Sequence, residues 1–117
     1  MMSGTKQDWK LFRELLPGWQ ETFMERLIKE YAAMLNGEEK ASDKFWDLEE
    51  RIKKDKRRPG VILRLARDDM EWDLMYLILD GVITMDDLDG FSEEVRSRVD
   101  YLVQSTLRYT EEEDASD

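Results

Sequence analysis

Two acidic stretches hold the residues whose types and spacing could do chemistry. Asp80-Gly81-Val82-Ile83-Thr84-Met85-Asp86-Asp87-Leu88 matches the back half of a twelve-residue calcium loop. Gly81 takes the place of the obligatory glycine, and Asp80 and Asp87 fall at ligand positions 5 and 12. Positions 1 and 3 fall on Tyr76 and Ile78, which offer no carboxylate, so half the ligands are missing. A structural reading uses every residue of the stretch. Asp80-Gly81 ends a helix, Ile83 fills the core, and Thr84 with Asp87 opens the next turn as a capping box with Asp in place of Glu.

The second stretch, Asp68-Asp69-Met70-Glu71-Trp72-Asp73, packs four carboxylates into six residues. On a helix Asp69 and Asp73 share one face, while Asp68 and Glu71 point elsewhere, beside Arg64 and Arg67. Asp69 and Asp73 are therefore the candidate metal ligands, in apolar surroundings that would raise their pKa values. A magnesium-dependent phosphohydrolase would need further acids from another helix. All-α nucleotide pyrophosphohydrolases use Glu-Glu-x-x-Glu, and none of Glu38-Glu39, Glu49-Glu50 or Glu93-Glu94 continues that way. A buried Asp–Arg or Asp–Lys contact with the basic end of the third helix is the preferred reading. That basic run, Lys53-Lys54-Asp55-Lys56-Arg57-Arg58, is what a dipole-compensating helix end collects, and it lacks the neighbouring aromatics that single-strand binding needs.

Composition narrows the chemistry further. Without histidine the chain lacks the commonest general base and nitrogen ligand, and without cysteine it has no disulfides or thiolate metal sites. A net charge of −10, from 28 acids against 18 bases, opposes binding to nucleic acid or anionic membranes. The same charge suits a basic partner or mimicry of a polyanion. Residues 1–10 carry no apolar signal segment, and the run Leu74–Leu79 is far short of the ~20 residues of a membrane span. A cytoplasmic protein without cofactor is expected.

Five helices must position these residues in one domain spanning 1–109, followed by an acidic disordered tail over 110–117. The first runs from about Asp8 to Leu16, with Thr5 or Asp8 as cap, and ends at Pro17. The second runs from about Pro17 to Asn36, with Trp19, Phe23, Leu27 and Tyr31 on its core face and Met24, Ile28 and Leu35 widening that band. The third runs from about Asp43 to Lys56, capped by Ser42, with Phe45, Leu48 and Ile52 turned inward and Trp46 beside them. The fourth, from about Pro59 to Asp80, is apolar on two sides and is placed at the centre of a compact bundle. The fifth runs from about Glu93 to Tyr109 behind a Ser92 cap, with Val95, Val99, Leu102, Val103 and Leu107 facing inward.

Trp46 and Trp72 sit off the main stripes of their helices, and Tyr76 belongs to the second apolar arc of the fourth. These three are the candidate protein-interaction residues. The runs Trp9–Glu21, Ala41–Glu49 and Gly81–Ser92 resemble short uncharacterised bacterial proteins associated with Firmicutes and mobile elements, some of which are labelled multidrug transporters. The resemblance spans most of Trp9 to Leu102 and implies an accessory protein with no catalytic residues to carry over. The transporter label is at odds with a chain that lacks a membrane segment.

The expectation is an all-α, non-enzymatic module that binds another protein or a second copy of itself. A nucleic-acid mimic acting on a DNA- or RNA-binding protein is the alternative, with a carboxylate-magnesium phosphohydrolase behind it.

Overall fold

The structure, a computed structural model, describes residues 4–115, with side chains as far as Glu113. Its described residues form four α-helices and two short 3-10 turns, with no strand. The helices are α1 (Lys6–Leu35), α2 (Ala41–Asp55), α3 (Met70–Leu79) and α4 (Glu93–Ala115), and the turns are Arg67–Asp69 and Met85–Leu88.

The predicted first and second helices are one. α1 continues through Pro17 because Phe12, Leu16, Phe23 and Leu27 stay on a single buried stripe across it. Breaking the helix would put that stripe out of phase. Pro17, Gly18 and Arg13 all lie on the exposed side, so water can take the bond that the proline cannot make. α2 begins at Ala41 behind Lys40, so Ser42 is inside the helix and not its cap. α4 runs past Tyr109 to Ala115, and Ser116 and Asp117 lie outside the described residues.

The predicted fourth helix survives only in its C-terminal part, α3. Residues 62–66 have no regular structure, with the Ala66 backbone extended, and Arg57–Val61 is a tight turn. Gln20 Nε2 donates to the Pro59 carbonyl at 3.0 Å, and Gly60 packs closely against the Phe23 ring. A Cβ on Gly60 would stand 2.2 Å from Phe23 Cδ2, so this approach requires glycine. These anchors hold the segment against α1 and draw it out of helical geometry.

α3 does sit centrally, packed along α4. Met70, Leu74, Met75 and Leu77 are buried with Val95, Val99 and Val103 of α4, Phe12 and Leu16 of α1, and Ile83, Leu88 and Phe91 from the connection. Gly81, at φ +76°, stops α3, and the Thr84–Asp87 capping box opens the turn that follows. The Asp8 carboxylate joins the N-termini of two helices. Its oxygens accept from Thr5 N and Oγ1, both at 2.9 Å, and from Ser92 N and Oγ, both at 2.8 Å. Burial would raise its pKa, but these bonds outweigh that and hold it below the ordinary carboxylate value.

The expected compactness is not observed. The radius of gyration is 17.1 Å and the extents are 52 × 40 × 22 Å, where a compact chain of this length would have a radius of about 13 Å. Thirty residues of α-helix are about 45 Å long, more than the core lobe can cover. The C-terminal part of α1 and all of α2 therefore form a two-helix arm.

Candidate interaction surface

The arm is built on a buried carboxylate. Asp55, near the end of α2, accepts from Tyr31 Oη at 2.6 Å, Arg51 Nε at 2.9 Å and Arg58 Nη1 at 3.1 Å. Arg51 also pairs with Glu30 at 2.5 Å, and Arg58 Nε reaches Asp80 at 2.9 Å. One chain of charges thus ties α2 to α1 and to the C-terminus of α3. Burial pushes the Asp55 carboxyl up, yet the donors from Tyr31, Arg58 and Arg51 together hold it below its usual value. Burial, then the bond to Asp55, pushes the Tyr31 hydroxyl up to about 12. Arg58 and Arg26 also lie over the Phe23 ring, at 4.7 and 5.1 Å from its centre.

This clamp decides which way α2 faces. Lys44, Leu48, Arg51 and Asp55 recur at helical spacing, and all four are at least partly buried, so this edge lies toward α1. The apolar side is consequently turned outward. Phe45 and Trp46 are both 63% exposed, Ile52 is also exposed, and the two rings meet edge to face at 4.9 Å. This corrects the expectation that Phe45 and Ile52 face inward. A clamp of charges on one edge, rather than an apolar stripe, sets the helix rotation. Ile52 and the exposed Ile28 of α1 line one shallow hollow of about 240 Å³ with Met24, Leu27 and Tyr31.

A second exposed apolar strip runs along the outer face of α3. Trp72 (46%) and Tyr76 (51%) are four residues apart and share one side of α3, with the exposed Leu79 three residues on. Trp46, nine residues before Asp55, is about 14 Å along α2 from the clamp that meets α3. The three sequence candidates therefore lie on two surfaces, with Trp72 and Tyr76 together and Trp46 apart.

Comparison with protein-family models, curated proteins and solved structures returned no match. Function must therefore be argued from the surfaces themselves. Among the described residues, no helix is long and apolar enough to cross a membrane.

Asp69 and Asp73, the metal candidates, have different surroundings. Asp69 is exposed in the turn before α3, whereas Asp73 is buried and lines a cleft of about 490 Å³ with Pro59, Ile62, Leu63, Tyr76 and Leu79. Burial, with a smaller contribution from the Asp69 charge, pushes the Asp73 carboxyl up to about 6. No group of three or more acidic side chains that could hold a metal forms among the described residues. Glu71 is buried on the opposite side of α3, raised by burial, and pairs with Arg98 at 3.7 Å.

The sequence pointed to Asp8 only as a helix cap and to Phe45 only as a core residue, and it did not single out Asp55. Asp55 could have been found from its position: a lone acid inside a basic run, four residues after Arg51 and three before Arg58, has cations on both sides. The Asp8–Ser92 link had no such signal, because it joins residues 84 positions apart.

Proposed function

We propose that this chain is a non-enzymatic protein-binding module whose contact surface is the outward face of the α1–α2 arm, and that the face pairs with a second copy. The observation that carries the reading is the exposure of Phe45 and Trp46 side by side on a helix whose other edge is fixed by charges. A two-helix arm has one internal face and cannot bury a second apolar side by itself.

Size and charge both fit self-pairing. At roughly 200 Å² for each fully open large side chain, Ile28, Phe45, Trp46 and Ile52 expose about 450 Å². A standard interface takes about 800 Å² from each partner, a little over half of it apolar. The chain carries −10, which opposes self-association, but α2 is close to electroneutral and is polarised along its length. Asp43, Asp47, Glu49 and Glu50 come first, and Arg51, Lys53 and Lys54 follow. Two α2 helices packed antiparallel about a two-fold axis bring the acidic half of each beside the basic half of the other.

Sedimentation velocity across a concentration series tests this. The reading requires a dimer that Trp46→Lys dissociates without loss of helicity. A wild-type monomer at every concentration refutes self-pairing.

A further inference from the structure

We propose that the cleft between the 59–63 turn and α3 is a binding site for a protonated amine or guanidinium carried on an apolar group, with the Asp73 carboxylate as counter-ion. The inference is independent of the arm.

Four carboxyl side chains are buried among the described residues, and three have partners. Asp8 is held by Thr5 and Ser92, Asp55 by Tyr31, Arg51 and Arg58, and Glu71 by Arg98. Asp73, only 7% exposed, stands apart, since no hydrogen-bond donor reaches its Oδ2. Burying an unpaired carboxylate is costly, and a native fold normally satisfies such a group. Here the group lines the cleft of about 490 Å³ instead of a closed core.

The cleft walls define what fits. Pro59, Ile62, Leu63 and Leu79 supply an apolar lining, and the Tyr76 ring adds a face on which a cation is attracted. The remaining charged groups around the site are Arg57 and Asp80 in the lining and Asp69 in the turn before α3. Asp80 is already engaged by Arg58 at 2.9 Å, which leaves Asp73 as the acceptor for an incoming charge. Arg57 is exposed and can swing toward solvent on its long stem. An anion would meet the Asp73 and Asp80 carboxylates in the lining with the Asp69 charge close by, and a neutral apolar molecule would leave Asp73 unpaired. An apolar cation satisfies both halves of the site. Such a group could arrive as a small amine or as a Lys or Arg side chain flanked by apolar residues, and the chemistry is shared.

The test compares benzylamine with its neutral analogue benzyl alcohol, by backbone amide shift mapping on the full chain. A capped Leu-Arg-Leu tripeptide forms a third arm that separates a peptide source from a small-molecule source. Benzylamine should shift residues 59–63 and 73–80, bind at least tenfold more tightly than the alcohol at pH 7.5, and weaken as pH falls through the range where Asp73 takes up its proton. Asp73→Asn, checked for unchanged helicity, should reduce the amine to the level of the alcohol. Because the wild-type comparison of amine with alcohol needs no variant, the proposal stays testable if that variant misfolds. Equal binding of amine and alcohol to the wild type, or undiminished amine binding to a folded Asp73→Asn chain, would overturn it.

Discussion

Replacing Asp73 by Asn should change the pH dependence of stability by an amount the structure sets. The carboxyl is raised from an ordinary 3.8 to about 6, chiefly by burial, so the folded chain holds this proton more tightly than the unfolded chain does. Below pH 3.8 both states are protonated and the group costs nothing. Between 3.8 and about 6 the folded state binds more protons, so stability falls as pH rises, and above about 6 the penalty is constant. At 1.36 kcal/mol per pH unit the full penalty is about 3 kcal/mol. Asn keeps the shape without the charge and should lose this dependence. Urea unfolding followed by helical circular dichroism from pH 4 to pH 8 measures it. Asp73→Asn should gain about 3 kcal/mol relative to wild type across that range, or roughly 10 °C in Tm. The chain has no histidine, and every other ionisable side chain is common to both proteins, so the difference isolates Asp73. Parallel stability curves would show that the carboxyl is not held in a low-dielectric setting and would refute the reasoning.

Four further substitutions probe the frame that holds both surfaces. Asp55→Ala removes the acceptor shared by Tyr31, Arg51 and Arg58 and should cost about 3 kcal/mol in urea unfolding at pH 7. Because the Asp55 pKa is lowered, that contribution is present above pH 3.8 and should fade as pH falls below it. Asp8→Ala leaves the Thr5 and Ser92 donors without their carboxylate and should cost about 3 kcal/mol, with amide exchange accelerated at the starts of both α1 and α4. Gly60→Ala should destabilise by about 2 kcal/mol, since its Cβ would sit 2.2 Å from Phe23, while Gly18→Ala, with open space around it, should stabilise by about 0.5–1 kcal/mol. A tolerated Gly60→Ala would mean that the turn does not rest on Phe23.

Local signals in the sequence were reliable where the chemistry is local. Gly81 as a helix stop, Ile83 in the core, the Thr84–Asp87 capping box and the Ser92 start of α4 all follow from residues within a few positions of one another. The departures come from long-range packing. Pro17 is a helix breaker by local rules, but the stripe from Phe12 to Leu27 rewards an unbroken helix. Val61–Ala66 fits a helical pattern, but the Gln20 and Phe23 contacts hold Pro59 and Gly60 in a turn just before it, and 62–66 has no helix. The second apolar arc predicted for that helix was legible, and Trp72, Tyr76 and Leu79 are exposed on it. Of the candidate site, the exposure of Trp46 and Trp72 was legible from their positions off the main stripes. Phe45 was not, because its orientation depends on a clamp whose members come from α1, α2 and the turn after it.

The outward face of the arm is the surface on which the proposed self-pairing depends. Sedimentation equilibrium of the wild type and of a Phe45→Lys/Trp46→Lys chain, up to about 0.1 mM, measures it. The wild type should form a concentration-dependent dimer, and the double variant should remain a helical monomer. A wild type that stays monomeric, or a double variant that dimerises as well as the wild type, would contradict the account.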